Sequence, residues 1–276
     1  MSLYITSLNS GSNGNCYYIA NDSEAVLVDA GISCRETEKR MLRLGLSMDK
    51  VKALFISHEH SDHIRGVEVM SRKHQLPVYI NEATLKNSGL KLNETLTRSF
   101  AAHEPVTVGG LSVLPFPKHH DASDPYSFVV SGNNVNIGVF TDIGSACNNL
   151  EKSFSICHAA FLESNYDTEM LESGRYPYYL KKRISGEKGH LSNAQALQLF
   201  LSHKSDYMSL VLLSHLSKEN NDPELARKLF MKHSGNVQVV VASRHEETAL
   251  FTITPITAIL PKKKFGKSAA AQMSLF

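Results

Sequence analysis

The sequence predicts an α/β (α+β) fold in which two mixed β-sheets pack face to face with helices outside. Both halves of the chain combine strand-like and helix-like segments, no internal repeat relates them, and neither half looks complete alone. A length of 276 residues, with 42 % hydrophobic and 20 % charged residues, supplies one large core. A disordered chain and a small disulfide scaffold are both excluded.

Residues 3–29 read as a β meander. Leu3–Leu8 and Cys16–Ile19 flank the turn-rich Gly11-Ser12-Asn13-Gly14-Asn15, and Ala25–Val28 follows the Asn21-Asp22 turn. Ser33 with Glu36 three positions on forms a capping box for a helix through Leu44, which Gly45 stops. Val51–Ser57 reads as a buried strand. A helix over Ile64–His74, a short strand at Val78–Ile80 and a helix from Asn81 come next. Hairpins turn on Gly109-Gly110 and on Gly132-Asn133-Asn134. The second half predicts strands near Ile156–Leu162, Leu210–Leu213, Val237–Val241 and Leu250–Ile253. Helices near Ser192–Ser202 and Pro223–Lys232 separate them, the latter with Asp222 as N-cap and Pro223 at the first helical position. The pattern stops at Pro261, so residues 1–260 form the expected domain and residues 261–276 a flexible basic tail.

Twenty-nine basic and 27 acidic residues give a net charge of +2. Lys262, Lys263, Lys264 and Lys267 lie in the tail, so the body is slightly acidic. A uniformly basic nucleic-acid coat is excluded, and any grip on phosphates must be local or carried by the tail. Cys16, Cys34, Cys147 and Cys157 form no C-x-x-C pair and read as small core residues of a reducing compartment. No signal-peptide start and no bilayer-length apolar run is visible, so a soluble cytoplasmic protein is expected.

The sharpest motif is Ser57-His58-Glu59-His60-Ser61-Asp62-His63, directly after an apolar strand. In an extended segment His58 and His60 project to one side, and the following turn lets Asp62 and His63 face a second point. Imidazole and carboxylate without thiolate suit Zn²⁺, Mn²⁺ or Fe, and two separated ligand pairs suggest two divalent ions.

This H-x-H-x-D-H motif after a buried strand resembles the metallo-β-lactamase superfamily, over almost the whole chain to about residue 255. The resemblance implies a four-layer αββα sandwich. It also implies that Asp29, in Val28-Asp29-Ala30-Gly31, braces the metal loop without being a ligand. His58 and His60 match two ligands of a first metal, and Asp62 and His63 match ligands of a second, with Asp62 also catalytic. His119-His120-Asp121-Ala122 offers two candidates for a third histidine. His-Asp-Ala resembles a motif of the small bacterial WalJ/YycJ-like subgroup and favours His120, with His119 as the rival. Asp142 fits a bridging carboxylate, and His215 fits the last ligand of the second metal.

Two divalent ions in such a site suit phosphodiester hydrolysis at neutral pH. Gly189-His190-Leu191-Ser192-Asn193 resembles the segment with which nuclease-like members bring a histidine to the scissile phosphate. That resemblance makes His190 a general acid or phosphate ligand and Glu163 the acid that orients it. Ser12, Asn13, Asn165 and Asn220, with Asn221 beside it, are candidates for phosphate or substrate contact. The 72 residues between Asp142 and His215 leave no room for an inserted cap domain.

The chain ends Gln272-Met273-Ser274-Leu275-Phe276, which resembles the bacterial peptide that docks on the β sliding clamp, with Met273 in place of Leu. A glutamine for hydrogen bonds and a Leu-Phe pair for an apolar pocket, on a flexible basic tether, suit a peptide anchor. The expected protein is a dinuclear metal-dependent phosphodiester hydrolase, specifically a DNA exonuclease of replication-linked repair held by the clamp. The alternatives are a small-molecule metallo-hydrolase (cyclic-phosphate phosphodiesterase, thioesterase or lactonase) and a recruitment module without catalysis.

Overall fold

The computed structural model describes residues 1–255, so the basic tail and the Gln272–Phe276 peptide lie outside the described residues. The first half runs β1 (Leu3–Asn9), β2 (Cys16–Ala20), β3 (Ala25–Val28), α1 (Cys34–Arg43), β4 (Val51–Phe55), α2 (Ser61–Ile64), α3 (Val67–His74), β5 (Val78–Tyr79), α4 (Glu82–Ser88) and β6 (Thr97–Arg98). The next stretch runs β7 (Val106–Val108), β8 (Leu111–Pro117), β9 (Tyr126–Gly132), β10 (Val135–Phe140), α5 (Asn148–Phe154) and β11 (Ala159–Glu163). The remainder is α6 (Thr168–Ser173), α7 (Tyr178–Ile184), α8 (Asn193–His203), β12 (Leu210–Ser214), α9 (Pro223–Met231), β13 (Gln238–Val241) and β14 (Phe251–Ile253).

These strands make two seven-stranded sheets, ordered β14-β1-β2-β3-β4-β5-β6 and β13-β12-β11-β10-β9-β8-β7. Each mixes antiparallel hairpins with parallel pairs, β3-β4-β5-β6 in one and β10-β11-β12-β13 in the other. The period-2 alternation explains the layering. Val26, Val28, Phe161 and Leu212 point into the core between the sheets, whereas their neighbours Leu27, Leu162 and Leu213 pack under helices on the outer faces. The predicted sandwich is therefore observed, with helix layers on both sides.

The N-caps hold: the Ser33 side chain accepts from the Glu36 N–H, and that of Asp222 accepts from the Leu225 N–H, but the reciprocal half of the Ser33 capping box does not form, because the Glu36 carboxylate turns to Arg40 Nε at 2.9 Å. Three details differ. The helix expected over Ile64–His74 breaks at Gly66, whose N–H donates to Ala30 O and where a Cβ would lie 2.1 Å from Ile32 O. The third strand of the second sheet starts at Ala159 rather than Ile156, which is exposed. Three of the cysteines are buried and free as expected, but Cys147 is half-buried before α5. Among the described residues no helix is long and apolar enough to cross a membrane.

Candidate metal centre

The candidate side chains gather where strands of both sheets end. Asp29 follows β3, the His58–His63 run follows β4, His120 follows β8, Asp142 follows β10, Glu163 closes β11 and His215 follows β12. Parallel neighbours end together, so residues distant in sequence meet at one rim. Asp29, Asp142 and His215 have φ of 60°, 55° and 56°. Non-glycine residues in this left-handed region cost about 1–2 kcal/mol each, a strain characteristic of functional sites.

Four overlapping groups of possible ligands share this rim, Asp142 belonging to two of them, with His58 and His63 in one and with Glu163, His190 and His215 in the other. His58, His60 and His120 bring one ring nitrogen each within 4.8 Å of the others, and His58 Nε2 lies 3.1 Å from His60 Nδ1. His60 starts α2 as its N-cap without a side-chain cap bond, because its ring turns toward His58 and His120. Asp62, His63 and His215 form the second group. Asp142 lies between them, its carboxylate 3.1 Å from His63 Nε2, 3.3 Å from His215 Nδ1 and 3.8 Å from His120 Nε2.

A second set of residues fixes these rings. Asp29 accepts from the Ser57 N–H and hydroxyl, and its Oδ2 lies 2.7 Å from His63 Nδ1. His120 Nδ1 donates to Gly189 O at 3.0 Å, which keeps the proton off Nε2. The Gly189 position requires glycine, since a Cβ there would lie 2.1 Å from Ile184 O. Glu163 is fully buried; its Oε1 lies 2.9 Å from both His190 Nδ1 and His215 Nδ1, and its two oxygens accept from the N–H groups of Asp142, Ile143 and Leu191.

The donor set fits divalent ions. His120 Nε2, Asp142 Oδ2 and His215 Nε2 are buried without a hydrogen-bond partner, a costly condition that coordination relieves. Burial holds the His58 imidazole well below its ordinary pKa and takes that of His120 down to about 4, so both are neutral donors. Burial opposes protonation of His215 as well, but the Asp142, Asp62 and Glu163 carboxylates outweigh it and raise that group to about 10. Glu163 stays ionised, at about 2, because His190 and His215 overcome its burial.

The sequence-predicted residues divide clearly. His58, His60, Asp62, His63, His120, Asp142, His190, His215, Asp29 and Glu163 converge. His119 does not; its Nδ1 meets Ser145 Oγ at 2.8 Å on the exposed side. Asn165 is buried, and its amide donates to His215 O at 2.7 Å, so it braces the strand end that carries that histidine. Asn220 and Asn221 are buried in the loop before α9, where Asn221 bonds Asn193 and the Ser164 and Asn165 carbonyls. Ser12 and Asn13 lie in an exposed turn, with the Asn13 amide donating to Arg244 O.

Two site residues escaped sequence reasoning. Asn15 donates its amide to Asp62 Oδ2 at 3.3 Å and lies 3.1 Å from His63 Nε2. The only signal was its place in the Gly-rich turn. Lys118, two residues before His120, is buried and donates its Nζ to Thr141 O at 2.6 Å, pinning the peptide before Asp142. A further grouping, Cys34, Glu38 and His74, is closed by the Lys73 ammonium on Glu38.

Residues 24–215 match a family model described as "Beta-lactamase superfamily domain". The chain is 36 % identical over 230 residues to the exodeoxyribonuclease YycJ of Bacillus anthracis, covering 82 % of this chain and 87 % of the relative. It is 31 % identical over 259 residues to the exodeoxyribonuclease WalJ of Streptococcus pneumoniae, covering 91 % and 96 %. Among solved structures, the metallo-β-lactamase fold protein YhfI from Bacillus subtilis superposes with a TM-score of 0.71 at 16 % identity, covering 91 % of this chain and all of that one, a likeness of fold alone.

Proposed function

The chain belongs to the β-lactamase superfamily, and from that membership and the geometry of the rim we propose that it is a dinuclear metal-dependent exonuclease acting on DNA. It is a metal-dependent hydrolase of the metallo-β-lactamase fold. The observation that carries the finer reading is Glu163, which fixes a ligand candidate, His215, and a half-buried histidine, His190, with one oxygen. His58, His60 and His120 would hold one ion, and Asp62, His63 and His215 a second, with Asp142 between them; Zn²⁺ and Mn²⁺ both suit these donors. Bound there, the ions would supply positive charge to the phosphate and lower the pKa of a water.

The remaining steps belong to the chain. Glu163 accepts from His190 Nδ1–H and so turns Nε2 outward; in its doubly protonated form the ring donates Nε2–H to a phosphate oxygen or gives that proton to the departing oxygen. Asp62, held by Asn15, would take the proton of the attacking water. The Ser12-Asn13 turn next to Asn15 offers backbone N–H groups to a phosphate.

The relatives named exodeoxyribonucleases favour this over the small-molecule reading. The test is hydrolysis of labelled DNA by metal-loaded protein, with His190→Gln expected to lower kcat by about 10²–10⁴-fold. A variant with unchanged kcat would remove His190 from the mechanism.

The tail completes the proposal: Gln272–Phe276 docks on the β sliding clamp and supplies the residence that an acidic body lacks. Deleting these five residues is expected to abolish clamp binding and to spare cleavage of short oligonucleotides. Unchanged clamp affinity would sink this part.

A further inference from the structure

Helix α7 is an exposed element next to the site. None of its seven residues is buried, and Tyr178 and Tyr179 are 72 % and 74 % exposed. It carries Lys181, Lys182 and Arg183 and no acid. Between Arg175 and Lys188 there are five basic residues and one acid, in a body that is otherwise acidic. Bases in a last helical turn suit the helix dipole, which accounts for the lysines but not for two bare tyrosines. The Lys182 ammonium lies 5.3 Å from the Tyr178 ring centroid, and a groove of about 450 Å³ beside the helix is lined by Tyr166, Leu171, Tyr178, Lys181 and Lys182.

The helix is also tied to the rim. Arg183 Nε bonds Asp121, the neighbour of His120. The Ile184 carbonyl accepts from the His190 N–H at 2.8 Å, and the Gly189 carbonyl holds His120 Nδ1. The end of α7 is therefore hydrogen-bonded to the residue proposed to meet the scissile phosphate. Seven helical residues span about 10 Å, or about three nucleotides of a stacked strand.

We propose that α7 is the substrate platform: unpaired bases of a single strand stack on Tyr178 and Tyr179 while its phosphates run along Arg175, Lys181, Lys182 and Lys188 toward His190. Sequence-tolerant stacking beside a basic track is how single-stranded nucleic acid is held, and paired bases present no free face to such rings. The inference rests on the nuclease reading and names its substrate as the unpaired strand.

The test uses the full-length metal-loaded chain with a single-stranded oligonucleotide, a blunt duplex of the same sequence, and bis(p-nitrophenyl) phosphate as a small diester. For Tyr178→Ala/Tyr179→Ala, kcat/KM on the single strand is expected to fall about tenfold or more relative to that on the small diester, through KM, and the preference for single strand over duplex to collapse. Tyr178→Phe/Tyr179→Phe retains both. Lys181→Gln/Lys182→Gln is expected to flatten the dependence of log affinity on log salt by about 0.7 for each phosphate that is no longer neutralised. Cleavage of DNA by the alanine variant with wild-type KM overturns the platform alone. A change of sedimentation coefficient with KM unmoved does so too, and assigns the tyrosines to contact between copies of the chain. Wild-type protein that turns over the small diester but no DNA overturns the nuclease reading, and the platform with it.

Discussion

Asp29 Oδ2 and His63 Nδ1 lie 2.7 Å apart beneath the rim, in a contact that is buried on both sides. The same carboxylate accepts from the Ser57 N–H and hydroxyl, so one side chain fixes the start of the histidine run and the ring at its end. The bond keeps the His63 proton on Nδ1 and reserves Nε2, which faces Asp142 at 3.1 Å. Replacing Asp29 by Asn removes the charge and retains the shape. Metal affinity is expected to fall about 10–100-fold, read by metal content after dialysis against a graded chelator. Retention equal to wild type would show that Asp29 only packs.

Glu163→Gln tests the pairing of His190 with the rim. The amide keeps one oxygen and sets its NH2 group against donors, either the two Nδ1 atoms or the N–H groups of Ile143 and Leu191, so kcat on DNA is expected to fall about 10–100-fold while KM moves less. Loss through KM alone would make Glu163 a substrate-binding group.

Gly31 sits where the first loop meets the metal-binding loop: a Cβ on it would lie 1.6 Å from Asp62 O, and its N–H donates to Asn15 O. Gly31→Ala is expected to destabilise the fold by about 1–3 kcal/mol and to lower metal affinity, both read by thermal melts with and without metal. A stable variant with normal metal binding would mean that Asp62 and Asn15 shift freely.

The electrostatics of the rim set a pH dependence. In chelator-treated protein the carboxylates around His63 and His215 outweigh burial and raise both imidazoles, His215 to about 10. A raised histidine contributes stability that is complete below its unfolded value of about 6.5 and is lost as pH rises toward 10. Metal ligation displaces those protons. The Tm of the metal-free chain is therefore expected to fall from pH 6.5 to 10, and the rise in Tm given by metal to grow across the same window. Parallel profiles for the two forms would contradict the assignment.

The strands were legible because alternation at period 2 is local, as Ala25–Val28 and Leu210–Leu213 illustrate, and the helix starts because Ser33 and Asp222 cap their own chain. Helices α5, α6 and α7 and strand β6 leave no clear sequence signal, being short and weakly periodic. The break at Gly66 depends on carbonyls from the Ala30–Ile32 loop, which no local pattern records. At the site, the His58–His63 run announced itself, whereas Asp142, His215 and His190 needed the family resemblance. Asn15, Lys118 and the bracing role of Asn165 were hidden because each acts on a partner brought near only by the fold.

The reaction proposed for this rim is metal-dependent hydrolysis of DNA from an end. Full-length protein, stripped by chelator and reloaded separately with Mn²⁺ and Zn²⁺, is to be given end-labelled single- and double-stranded DNA alongside a thioester, a lactone and a cyclic phosphate. Progressive shortening of DNA is expected only in the metal-loaded samples. Intact DNA beside a hydrolysed thioester or lactone would contradict it.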